Sequence, residues 1–254
     1  MMSAVHRHLW TLALLFVSTA LHGVPAAEEA GKFVEHTTRL PSGTTARFKV
    51  WVPASFAPDR YWPMVVYLHG KEESGTDNAR QTEVGLGPVL RSGRRLWPGL
   101  VVFPQKPEAD VLWSAREDVV LGVLAATRAA YPVDVKRIYL TGVGQGGEGT
   151  WSIAAEHPDM FAAVVPVGGW TDAPDSVARA LRTTPVWLFH GRKDTVVPAA
   201  KAQKIAGALH NEGHPPRITI ITGDAEETWT RAYNRRDLPK WLFKWRRSDA
   251  ATPP

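Results

Sequence analysis

The sequence predicts an α/β fold, a mostly parallel sheet of about eight strands with helices on both faces and an antiparallel hairpin at its N-terminal edge. Three observations predict it. Short runs rich in β-branched and aromatic residues recur along the chain, most of them end at glycine or proline, and amphipathic stretches of helical length separate them. Strands that lack polar alternation are buried on both faces, as parallel strands must be when crossover helices cover them.

Taken in order, "FVEHTTRL" and "TARFKVWVP" flank "PSG" and read as the opening hairpin. The runs "MVVYLHG", "LVVFPQ", "RIYLTGV", "FAAVVPVGG", "PVWLFHG" and "RITIITG" supply the remaining strands. Residues 116–131, 145–156 and 199–212 supply crossover helices. In "RAYNRRDLPKWLFKWRR", Leu238, Trp241, Leu242 and Trp245 recur at helical spacing and should face the core, leaving a basic face in solvent.

Both ends of the chain read differently. Residues 1–26 combine Arg7, an apolar run over residues 9–21 and small residues at Val24 and Ala26, the pattern of a signal peptide cleaved after Ala26 or one residue later. The run is too short for a comfortable membrane span, so no transmembrane segment is expected once the leader is removed. The expected organisation is a leader over 1–26, one domain over 27–247 and a disordered tail over 248–254. A secreted or periplasmic location follows from the leader.

Composition excludes several classes. With no cysteine the chain has neither disulfides nor a thiolate nucleophile. Loss of the leader removes one basic residue, Arg7, and no acid, so the net charge falls from +5 to +4, which is mild for this length. No nucleic-acid module, nucleotide-binding motif or metal-ligand spacing is present, so no nucleic acid, metal or cofactor is expected.

The functional site of such a sheet lies at the carboxyl ends of its strands, where Gly70, Gly142, Gly144, Gly146, Gly147, Gly168, Gly169, Gly191 and Gly223 collect. "TGVGQGG", between a strand and a helix, has the G-x-X-x-G form of a nucleophile elbow, with Gly144 at the position whose side chain would enter the site. Glycine accepts that backbone without the strain a side chain incurs.

Over residues 33–245 the sequence resembles the α/β-hydrolase superfamily. Within it, the chain is similar to the carboxylesterase, phospholipase/carboxylesterase and predicted-peptidase group related to esterase D and polyhydroxyalkanoate depolymerases. "VVYLHGKEESGTDN", "FPQKPEADVLW", "KRIYLTGVGQGGEGTWSIAAEHPDMFAAVVPVGG" and "TPVWLFHGRKDTVVP" carry the resemblance. It implies a serine at position 144, where Gly144 stands, and a triad acid at Asp194 in "HGRKDTVVP". It also implies a histidine before the last tryptophan motif, where "TGDAEETWTRAY" has Glu226. No histidine follows His214. The resemblance assigns oxyanion-hole donors to the backbone N–H groups of Gln145 and of the loop at His69, Gly70 and Lys71.

The other hydroxyls and imidazoles have plainer readings. Ser74 and Ser152 are expected to bond locally, and His69 and His190 to hold loops through their rings. Trp113, Trp151, Trp170 and Trp229 lie in segments near the carboxyl edge and are candidates to line a cleft. The sequence thus favours a non-catalytic relative of esterases that binds a small ligand (an ester, a carboxylate or a carbohydrate) or a protein partner. Two alternatives stand beside it: a weak or repurposed ester or peptide hydrolase using Asp194, Glu226 or an activated water, and a structural protein with a collapsed pocket.

Overall fold

The computed structural model of the chain describes residues 31–93, 97–222 and 225–248, without the side chains of residues 225–227. The expected leader lies outside the described residues, and only Ser248 of the expected tail lies within them.

Eight strands form one sheet. They are β1 (Lys32–Arg39), β2 (Thr45–Val52), β3 (Trp62–Leu68), β4 (Leu100–Gln105), β5 (Val133–Val143), β6 (Ala163–Val167), β7 (Trp187–Gly191) and β8 (Arg217–Ile221). Their spatial order is β1-β2-β4-β3-β5-β6-β7-β8. The opening hairpin pairs antiparallel, Lys32 opposite Val52, and β2 joins β4 antiparallel. Every later pairing is parallel. The architecture is the mostly parallel sheet with an antiparallel N-terminal edge that the pattern of runs predicts.

The helices are α1 (Leu86–Arg91), α2 (Glu117–Ala130), α3 (Gln145–Glu156), α4 (Pro174–Ala180), α5 (Ala199–Asn211), α6 (Ala225–Tyr233) and α7 (Asp237–Leu242). Alternation along each strand divides the core into two layers. On one face Met64, Val66 and Leu68 of β3 pack with Val120 and Val123 of α2, Trp151 and Ile153 of α3, and Ile205 and Leu209 of α5. On the other, Val65 and Tyr67 pack with Leu86 and Val89 of α1, Tyr233 of α6 and Leu238 and Leu242 of α7. β3 is buried along its whole length, which explains why its sequence shows no polar alternation. Leu238 and Leu242 are buried as their spacing predicts, and Trp241 and Trp245 pack against the same layer.

The contact between β5 and α3 is made of backbone. A β-carbon on Gly142 would lie 2.3 Å from Gly146 O, and one on Gly146 would lie 2.0 Å from Leu68 O. On the far side of the helix, a β-carbon on Gly147 would come 2.7 Å from Gly169 Cα. Only residues without a side chain allow this approach, and it fixes the start of α3 at the edge of the sheet.

Candidate active site

β5 ends at Val143 and α3 starts at Gln145, so a single residue, Gly144, makes the turn. It has φ 53° and ψ −115°, a conformation strained for any residue with a β-carbon. Its N–H donates to Val167 O (3.1 Å), and its carbonyl accepts from Glu148 N (3.0 Å) as the first helical bond. The backbone therefore has the strand–turn–helix geometry of a nucleophile elbow, with hydrogen at the apex.

Asp194 follows β7 in a tight turn. Its Oδ1 accepts from Val196 N (3.0 Å) and Val197 N (2.8 Å). Its Oδ2 lies 3.8 Å from His190 Nε2, whose N–H donates instead to Val197 O (2.8 Å). A β-carbon built on Gly168 would stand 3.2 Å from Trp229 Nε1, 3.7 Å from Asp194 Oδ2 and 4.0 Å from Gly144 N. Elbow, carboxylate and indole thus converge on one face of Gly168. The same indole reaches over the elbow, where a β-carbon on Gly144 would meet Trp229 Cζ2 at 3.6 Å. Trp229 Nε1 is buried with no hydrogen-bond partner among the described residues.

Above this floor a cavity of about 760 Å³ opens between the loop after β3, the α1 segment, the turn at Asp194 and α6. Gly144, Asp194, Gln145, Lys71, Trp170 and Trp229 all line it. Its apolar wall includes Val84, Pro88 and Val89 from the α1 segment and Val196 and Val197 from the loop after β7. Val196 stands at the rim of the cavity and is 83% exposed. The α1 wall carries no sequence signal, because a six-residue helix shows no readable period.

The four candidate tryptophans separate into two pairs. Trp170 and Trp229 line the cavity, but Trp113 and Trp151 do not. The latter two are 0% and 1% exposed in the core layer beneath α3, and Trp113 Nε1 donates to His69 O (2.9 Å). Proximity to the carboxyl edge is visible in sequence, whereas the face toward which a side chain points depends on packing. Glu226 falls in the first turn of α6, and its side chain lies outside the described residues.

The remaining candidates have local partners. The buried His69 ring donates from Nδ1 to Gly70 O (2.6 Å) and accepts at Nε2 from Lys106 N (3.2 Å). Burial drives its pKa down to about 3, so the ring is neutral and pins the loop. Lys106, pushed down to about 8 by burial, donates to Ser74 Oγ (2.9 Å) and Glu108 O (2.6 Å). Neither Ser74 nor Lys106 lines the cavity. Ser152 Oγ donates within its own helix to Glu148 O (3.2 Å). Among the described residues no group of three or more histidines and acids could hold a metal ion. No helix among them is long and apolar enough to cross a membrane.

The elbow places the first helical N–H groups of α3, starting with Gln145, at the cavity floor without intrahelical acceptors. Such donors can hold a carbonyl or oxyanion. At the place from which a nucleophile would attack there is the α-hydrogen surface of Gly144, roofed by Trp229.

Residues 105–226 match the model of the dienelactone hydrolase family. Over 184 residues the chain is 29% identical to the putative esterase NocK of Nocardia uniformis subsp. tsuyamanensis, covering 67% of this chain and 51% of that protein. Over 202 residues it is 25% identical to the bifunctional acetylxylan esterase/xylanase XynS20E of Neocallimastix patriciarum, covering 77% of this chain and 27% of that protein. Among solved structures, a thermostable esterase superimposes with a TM-score of 0.72 at 30% identity, covering 85% of this chain and 63% of its own. The chain thus spans about half and about a quarter of the lengths of these two curated relatives.

Proposed function

Because the chain belongs to the α/β-hydrolase superfamily and is esterase-like in sequence and fold, we propose that it is a non-catalytic member that binds a small ligand in the cleft where its relatives carry out their chemistry. The observation that carries this reading is the state of the elbow. Its backbone keeps the strained conformation, yet the apex is Gly144 and the indole of Trp229 rests on it. A serine mechanism needs a nucleophile with a base in hydrogen-bond reach. Removing a serine from such a triad lowers kcat by about a million-fold. The open cavity supports binding over a structural role with a collapsed pocket. The apolar leader over residues 1–26 supports export of the chain before it meets its ligand.

The test is turnover of short-chain aryl esters by the purified chain, beside its Asp194→Asn variant and a Gly144→Ser/Glu226→His variant. The expected result is silence from the native chain and from Asp194→Asn, with measurable turnover only in the double variant. Native turnover that collapses in Asp194→Asn would overturn the proposal and make the chain a repurposed hydrolase.

A further inference from the structure

At the end of the sheet opposite the cleft, the segments that enter β6 and β7 and the segment after α7 enclose a second cavity, of about 310 Å³. Phe161 and Ala162 line it before β6, Thr184 and Pro185 before β7, and Trp245 and Arg247 beyond α7. The last of these segments is fixed through its backbone. Arg247 N donates to Lys136 O of β5 (3.0 Å), and Trp245 O accepts from the Tyr139 hydroxyl (2.8 Å). Positions 245 and 247 are therefore held against the sheet.

The polar groups of this cavity are unbalanced in one direction. Trp245 Nε1 and Arg247 Nε are both buried with no hydrogen-bond partner among the described residues. No acceptor or carboxylate among those residues engages the rest of the Arg247 guanidinium either. Two carbonyls of the lining are already used: Thr184 O accepts from His214 Nε2 (3.0 Å) and Pro185 O from Val164 N (2.9 Å). Arg246 also lines the cavity, but its guanidinium donates to Asp134 Oδ2 (2.6 Å). Asp159, the acid in the lining, is exposed and forms no ion pair with either arginine among the described residues. What remains is a guanidinium without a counter-ion and an indole N–H without an acceptor. Buried polar atoms are almost always matched, so two unmatched donors in one small cavity point to an acceptor that arrives from outside.

We propose that this cavity is a second binding site, separate from the cleft, and that it takes an oxyanion group, a carboxylate or a phosphoryl, carried on a small apolar body. The Nε–Nη edge of a guanidinium presents two parallel N–H bonds that match two oxygens of such a group, and the indole N–H is a third donor. The terminal nitrogens meet the ligand first, and a small rotation of the guanidinium turns Nε onto it. The hydroxyls of Thr183 and Thr184, without partners among the described residues, can turn to donate as well. Phe161, Ala162 and Pro185 offer the body an apolar wall. A neutral acceptor would leave the guanidinium charge unpaired, and an ammonium would add donors to donors. The surrounding field acts in the same direction, since basic residues outnumber acids seven to one within residues 231–247.

Calorimetric titration of the whole chain with phenyl phosphate, benzoate, benzyl alcohol and benzylammonium tests it, because the four share a ring and differ in the group it carries. At least one oxyanion should bind about tenfold tighter than the alcohol, with the ammonium weakest, and the tighter of the two oxyanions identifies the group the site is built for. Arg247→Gln should abolish that preference, and thermal unfolding should show the variant as stable as the native chain, since its side chain engages no other residue. Trp245→Phe keeps an aromatic ring beside Trp241 and should weaken the oxyanion about fivefold while leaving the alcohol unchanged. Lys240→Gln, on α7 outside the cavity, and Trp170→Leu, in the cleft, should leave oxyanion binding as it is. Oxyanion binding that survives Arg247→Gln or is lost in Trp170→Leu would place the ligand elsewhere and overturn the site. Equal binding of the alcohol or the ammonium, or binding of none of the four, would overturn the ligand class.

Discussion

Replacing Gly144 by alanine isolates the backbone strain at the elbow from any chemistry. The position has φ 53° and ψ −115°, a region that costs a residue with a β-carbon about 1–3 kcal/mol. Sterics add little, because the nearest atom to the new β-carbon is Trp229 Cζ2 at 3.6 Å, an ordinary van der Waals contact. The expected loss is therefore about 1–3 kcal/mol, or a fall in Tm of roughly 2–12 °C for a domain of this size. Gly207 supplies the control. It lies inside α5 with open space around its would-be β-carbon, so Gly207→Ala should stabilise by about 0.5–1 kcal/mol. Urea unfolding of both variants, read as midpoint and slope together, measures the two effects on one scale. A loss below about 0.5 kcal/mol at Gly144 would refute the strained conformation, and one beyond about 4 kcal/mol would refute the open space over it.

Two further outcomes are expected. Trp113→Ala removes a fully buried indole and its bond to His69 O, so it should cost about 3–5 kcal/mol, whereas Trp170→Ala at the cavity wall should shift stability by less than about 1 kcal/mol; thermal or urea unfolding yielding the opposite order would reverse the division of the tryptophans into core and cleft. His69 should make the fold acid-sensitive: its pKa is about 3 when folded against 6.5 when unfolded, so between those values the unfolded chain binds the extra proton and stability falls with falling pH, by about 1.4 kcal/mol per pH unit. Denaturation midpoints from pH 7 to 4 should therefore fall less steeply in His69→Gln than in the native chain, and parallel slopes would show that the ring is not buried neutral.

The strands were legible because a strand buried on both faces leaves an unbroken apolar run, as "MVVYLHG" does for β3, fully buried from Trp62 to Leu68. The ends of α3 were legible for a different reason. Gly144 cannot continue the strand in its observed conformation, and Pro158 stops the helix soon after Glu156, so both ends are encoded locally. The short helices α1 and α4 were hidden, since six or seven residues give at most two turns and no period to read, whereas α7 showed through the spacing of Leu238, Trp241, Leu242 and Trp245. The cavity wall at Val84, Pro88 and Val89 was hidden with α1. Trp113 and Trp151 show the remaining gap: sequence puts them near the carboxyl edge, and only packing turns them beneath α3.

The contrast between the backbone and the side chains of the elbow explains how such a site keeps its shape. Gly142, Gly146, Gly147 and Gly169 are held by contacts in which a β-carbon would meet backbone at 2.0–2.7 Å. These contacts join β5, α3 and the loop after β6, so they are constrained by folding whether or not anything is catalysed. The position at 144 has the opposite character, because its side chain would touch only the edge of Trp229 and enters no core layer. Folding therefore preserves the turn and the first donors of α3 while leaving the apex residue free to change. Asp194 falls between the two cases. One oxygen closes the turn at Val196 and Val197, which ties the residue to the fold, and the other lies toward Gly168, 3.8 Å from His190 Nε2. A carboxylate that one oxygen ties to the turn is kept at the cavity by folding, whichever residue stands at the apex.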